Sequence, residues 1–144
     1  MLAVLVPATV LLAFTVIVHS AGMVALLRWL WRVHIAIGSS FWGQTWLLMR
    51  LAWALLAIHL VEIALWALFY WLRGCLPDFE SSLYFAGVTY TTLGYGDLVL
   101  PDRWRLLGPI EGLTGILMCG LSTGFFFAVL SKLYAMLKTA DVKG

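Results

Sequence analysis

The chain has 144 residues, 63% of them hydrophobic and 11% charged, with a formal net charge of +2. A soluble domain of this size needs far more charged surface, so composition points to a membrane protein. So small a positive excess gives no footing for nucleic acid, and two cysteines are too few for a disulfide framework.

Three apolar stretches reach the roughly 20 residues needed to cross a bilayer as helix: Leu2–Leu27, Trp46–Leu72 and Leu106–Leu130. They are apolar around their whole circumference, which excludes the amphipathic helices of a soluble core. In the first, Val18-His19-Ser20 is similar to a signal-peptide cleavage site. The stretch has no basic leader, and it exceeds the usual apolar run of roughly 7–15 residues, so a retained helix is expected. It carries no basic residue at every third position and is not a voltage sensor. The link that follows holds Gly38, Ser39 and Ser40, a break and a helix cap before the second helix, together with His34, expected at the interface or in solvent. Arg28, Arg32 and Arg50 flank this link, and Lys132, Lys138 and Lys143 follow the third helix. Placing all six in the cytoplasm puts the N-terminus outside and the C-terminus inside a plasma (cell inner) membrane. Aromatic belts agree: Trp29, Trp31, Trp42 and Trp46 on one side, Tyr70, Trp71 and Trp104 on the other.

The second helix carries His59 and Glu62 one turn apart near mid-membrane, where ionisable groups are functional candidates. The expectation is a polar bond to the first helix through Thr15 or His19, giving an intramembrane cluster of His19, His59 and Glu62. A metal site is the alternative and is not expected, because two ligands are too few. Titration of the cluster as an influence on gating is a further reading.

The mixed segment Arg73–Arg105 is then external. Its cysteine, Cys75, is expected as a free thiol, with a bridge between subunits as the alternative; Cys119 lies within the third helix. Pro77 stops the preceding chain, Asp78 suits a helix N-cap, and Glu80 complements the dipole of a short helix over 79–91. That helix is too short to span a membrane. Followed by Gly-Tyr-Gly, it suggests a re-entrant element. A partly desolvated monovalent cation is served by a ring of backbone carbonyls. Turning successive carbonyls the same way demands left-handed backbone angles at alternate residues, which Gly94 and Gly96 tolerate. The Thr92 hydroxyl adds an oxygen at the inner end.

The run Thr91-Thr92-Leu93-Gly94-Tyr95-Gly96-Asp97 resembles the selectivity-filter signature of the potassium-channel family, and the likeness extends over about residues 46–135. The resemblance implies that the carbonyls of Thr92, Leu93, Gly94, Tyr95 and Gly96 line the ion path, with K⁺ held at Thr92, Leu93, Gly94 and Tyr95. Thr91 and Asp97 would brace the filter. The glutamate that some members pair with the filter aspartate is Val88 here, and a tryptophan pair is Tyr84 and Phe85, of which Tyr84 keeps a hydroxyl for Asp97. Glu111 either bonds the backbone behind the filter or is an ordinary interfacial carboxylate. Gly120 is a gating hinge or a packing residue; Gly112, Gly115 and Gly124 read as packing. Val99 stands where sensitive members carry an aromatic collar.

The expected fold is an all-α membrane protein: three transmembrane helices plus a re-entrant pore helix and filter loop, assembled as a fourfold homotetramer. Its domains are an N-terminal helix over 1–28, a cytoplasmic link over 29–45 and a pore domain over 46–138. The pore domain divides into outer helix 46–72, pore helix 79–91, filter 92–97 and inner helix 104–138. The expected function is passive, selective K⁺ conduction. A less selective cation channel and a non-conducting structural or regulatory subunit are the alternatives. The bilayer is its environment; no cofactor beyond filter-bound K⁺, no soluble regulatory domain and no catalysis are expected.

Overall fold

The computed structural model describes residues 2–33 and 41–141. They form four helices: α1 (Leu2–Val33), α2 (Phe41–Leu72), α3 (Phe79–Tyr90) and α4 (Leu107–Asp141), with no strand among the described residues. At 1.5 Å per residue, the 32 residues of α1 or of α2 extend about 48 Å, more than the hydrocarbon thickness of about 30 Å. Three helices are long and apolar enough to cross a membrane, over Val4–Arg32, Phe41–Leu72 and Leu107–Met136.

The first two helices run further toward each other than their apolar runs predict. α1 continues through Arg28 and Arg32 to Val33, and α2 already begins at Phe41, so both ends of the expected 29–45 link are helical. Continued helix satisfies the backbone hydrogen bonds internally, which favours extending a membrane helix past its apolar run. Gly38, Ser39, Ser40 and His34 lie outside the described residues. At the other border the inner helix begins at Leu107 and not at Trp104. Residues 102–106 form turns, closed by Trp104 N–H to Pro101 O at 2.7 Å and Leu107 N–H to Trp104 O at 2.9 Å. Pro109 then falls in the first turn of α4, where its missing N–H costs nothing.

Packing fixes a rotation for α1 that its uniform hydropathy leaves open. Val4, Ala8, Thr15 and His19 are buried along one narrow seam, with Leu11 partly covered beside them. Near its lower end Gly22 allows close approach to α2: a Cβ there would stand 2.5 Å from Ile58 Cδ1. In the middle, Trp66 Nε1–H donates to Thr15 Oγ1 at 3.1 Å. Small residues and interhelical hydrogen bonds hold membrane helices together where the hydrophobic effect cannot.

The main apolar cluster lies at the end of the bundle that carries the 73–106 segment. Trp66, Tyr70, Phe85, Trp104 and Leu107 meet there against Val4 and Ala8 of α1. Tyr70 and Phe85 pack edge to face at 5.3 Å and 82°, as do Phe69 and Trp104 at 5.7 Å and 86°. Trp104, expected among the interfacial aromatics, is buried against the chain, with the guanidinium groups of Arg73 and Arg103 over its ring at 5.4 and 5.0 Å. Cys75 is a free, buried thiol whose pKa burial pushes up.

Candidate functional site

The short helix starts as its sequence directs. Asp78 is the N-cap, its carboxylate accepting from Ser81 N–H at 2.7 Å and Ser81 Oγ–H at 3.1 Å, with Glu80 in the first turn. Thr91, counted with the helix by the sequence reading, is its C-cap. The exit is a Schellman closure: Thr92 N–H donates to Thr89 O at 2.9 Å and Leu93 N–H to Val88 O at 3.0 Å. Gly94 N–H adds a second bond to Val88 O at 3.3 Å.

This closure requires a left-handed residue where glycine is usual, and the chain supplies Thr92 at φ +63°. A β-branched residue there carries a penalty of about 1–2 kcal/mol. Gly94 at φ +58° and Gly96 at φ +77° continue the pattern, so every second residue from 92 to 96 is left-handed. No residue type flags Thr92 for this conformation; the sequence points only to the two glycines. The loop from Thr91 to Asp97 is exposed in the single chain, including apolar Leu93 (60%) and Tyr95 (67%).

Around the loop, Tyr84 Oη–H donates to Asp97 Oδ2 at 2.7 Å, joining α3 to the far end of the loop as expected. This bond holds the Asp97 carboxyl below the usual carboxylate range and the Tyr84 phenol above its own. Val88 contributes through its carbonyl. Glu111 fits neither expectation for it: it is fully buried and accepts from Tyr70 Oη–H at 2.7 Å, a tie from α4 to α2 and not to the filter backbone. Gly115 is the contact point of α4 with the end of α3, where a Cβ would stand 2.0 Å from Tyr90 O; at Gly112 the distance to Thr89 O would be 3.4 Å. Both bear out the packing reading. Gly120 and Gly124 have nothing within 4 Å, so contacts within the chain do not explain either.

Deeper in the bundle the intramembrane polar residues come together. His19 Nδ1 lies 2.9 Å from Glu62 Oε1, and His59 Nδ1 lies 3.3 Å from Glu62 Oε2. Tyr90, the last residue of α3, donates its hydroxyl to Glu62 Oε2, and that hydroxyl lies 2.9 Å from His59 Nδ1. His59 Nε2 lies 3.0 Å from Ser122 Oγ. One cluster therefore touches all four helices. The expected link to α1 is present through His19, whereas Thr15 bonds Trp66 instead. Tyr90 and Ser122 were not foreseen, since only folding brings the end of α3 and the middle of α4 to this depth.

A family model described as Ion channel matches residues 56–132, over half of the chain. No curated protein and no solved structure matches. The chain belongs to this ion-channel family, the pores built from two transmembrane helices. The matched region of the channel runs from mid-α2 through α3 and the 91–97 loop into α4, and α1 precedes it as an additional apolar helix. The resemblance read from the loop sequence is thereby borne out.

Proposed function

We propose that the chain is one subunit of a fourfold, potassium-selective channel that conducts K⁺ passively. The observation that carries this reading is the alternation of left-handed φ at Thr92, Gly94 and Gly96 in an exposed loop at the end of α3. This is the backbone form that turns successive carbonyls toward one axis, where they replace the water shell of a large monovalent cation. One strand offers only one oxygen per level, so a closed ring needs about four copies about a common axis. The exposure of Leu93 and Tyr95 in the single chain supports that requirement.

In this reading α3 is a re-entrant pore helix. Its C-terminal carbonyls and dipole favour a cation at the inner mouth, although Thr89 and Val88 oxygens are partly engaged by the loop. The Thr92, Leu93, Gly94, Tyr95 and Gly96 carbonyls hold a file of K⁺ ions that advance by mutual repulsion, with K⁺ as cargo. Tyr84 and Asp97 steady the outer end. The loop faces outside a plasma (cell inner) membrane, and Arg28, Arg32, Arg50 and Lys132 face the cytoplasm.

Purified protein in liposomes with a K⁺ gradient tests this. K⁺ flux with a reversal potential near that of K⁺ in mixed Na⁺/K⁺ is expected. A reversal potential indifferent to the Na⁺/K⁺ ratio would favour the less selective channel, and absence of flux at every pH and voltage would favour a non-conducting subunit.

A further inference from the structure

Both imidazoles of the polar cluster aim the same ring nitrogen at the same carboxylate. The donor atoms of His19, His59 and Glu62 all lie within 4.8 Å of one another, and their two His–Glu separations are 2.9 and 3.3 Å. Zinc bonds of about 2.0–2.1 Å to nitrogen and oxygen set ligand-to-ligand distances of about 3.3 Å in a tetrahedral site. Each imidazole therefore stands near ligand spacing from one oxygen of the carboxylate, His19 from Oε1 and His59 from Oε2, and a small turn of the carboxylate brings both nitrogens onto one ion. We propose that His19, His59 and Glu62 bind a divalent transition ion of the zinc class, which joins α1 to α2 inside the membrane.

The donor set selects the ion. Two imidazoles and one carboxylate suit zinc and its first-row neighbours, whereas K⁺, Mg²⁺ and Ca²⁺ seek oxygen-only sites. Coordination through Nδ1 places the proton of His59 on Nε2, from which it donates to Ser122 Oγ at 3.0 Å; such a partner orients a ligating imidazole. Tyr90 Oη, 2.9 Å from His59 Nδ1 and bonded to Glu62, is a further oxygen at the site. Electrostatics agree. Glu62 is fully buried among apolar helices, where an ionised carboxylate is costly unless a cation accompanies it, and a divalent ion supplies that charge. One ligand comes from α1 and two from a single face of α2, so the ion fastens the additional helix to the pore region. The site requires neither a fourfold ring nor K⁺ selectivity, and its test is independent of both.

Tag-free full-length protein in detergent is stripped with a chelator and dialysed against zinc-buffered solution. About one zinc per chain is expected, with the visible bands of a nitrogen- and oxygen-ligated site, lacking thiolate charge transfer, when Co²⁺ replaces zinc. His19→Gln keeps an N–H toward Glu62 but removes a ligand, and affinity should fall by more than the ~10–100-fold that follows loss of an outer partner. Ser122→Ala removes such a partner without touching a ligand and should weaken binding by about 10–100-fold, which keeps the question decidable if His19→Gln does not fold. No zinc on the wild-type protein, a thiolate band with Co²⁺, or wild-type affinity in both variants would each overturn the proposal.

Discussion

At Thr92 the chain holds a left-handed backbone with a β-branched side chain, and the two left-handed positions that follow are glycines. Adding a methyl group at Gly94 imposes a strain of roughly 1–2 kcal/mol in each chain, although open space surrounds the site. Gly94→Ala is therefore expected to abolish selectivity or flux while the assembled mass stays the same; unchanged K⁺/Na⁺ selectivity would count heavily against the carbonyl ring. At Asp97 the Tyr84 hydroxyl lowers the folded carboxyl pKa, so the bond is fully present above the unfolded carboxylate pKa. It is lost as pH falls through the lowered folded value. Tyr84→Phe should raise the Asp97 pKa and move the acid loss of conducting lifetime to higher pH, with little change in selectivity. Identical single-channel open-time distributions at every pH would remove Tyr84 from the support of the loop.

Between elements, α4 comes close against the end of α3 at a glycine. A methyl group on Gly115 would collide with the Tyr90 carbonyl oxygen, a backbone atom that cannot rotate away. Gly115→Ala should cost about 1–3 kcal/mol per chain, read as a lowered Tm in detergent. Gly120 gives the opposite expectation. Its surroundings are open, and alanine is the better helix former by about 1 kcal/mol, so Gly120→Ala should leave Tm unchanged or raise it. Altered opening in that variant, at undiminished Tm, would single out the hinge reading; unaltered opening would discard it. For α1, Thr15→Val leaves the buried Trp66 indole N–H without an acceptor, at about 1–3 kcal/mol. The expected signature is a lower Tm with the pore region intact; no change would mean that α1 docks by shape alone.

For the whole molecule, mass measurement in detergent should give about four chains per particle, and a stable dimer would sink the single-ring reading. External tetraethylammonium should block weakly. In the proposed channel Val99, exposed and without a π face, would stand at the collar, and Trp104 is buried beside two arginines. Val99→Tyr should create sensitivity, each ring contributing about 0.5–2 kcal/mol of cation–π attraction. A variant as insensitive as the wild type would move Val99 away from the mouth.

What the sequence determined by itself is what local physics decides. Apolar runs long enough to span a bilayer, the Asp78 cap and the spacing of Gly94 and Gly96 all act within a few residues of themselves. They read correctly without knowledge of neighbours. Helix ends were off where the helix continues past the apolar run, and where Pro101 sets a turn before α4. Only tertiary structure decided the partners. A helix that is apolar all round carries no sign of which face it buries, so the seam of α1, the Tyr70 bond to Glu111 and the burial of Trp104 were beyond any periodicity. The cluster of His19, His59, Glu62, Tyr90 and Ser122 exists for the same reason: buried polar groups must find one another, but their depth and rotation are set by packing, which closes contacts between residues far apart in the chain.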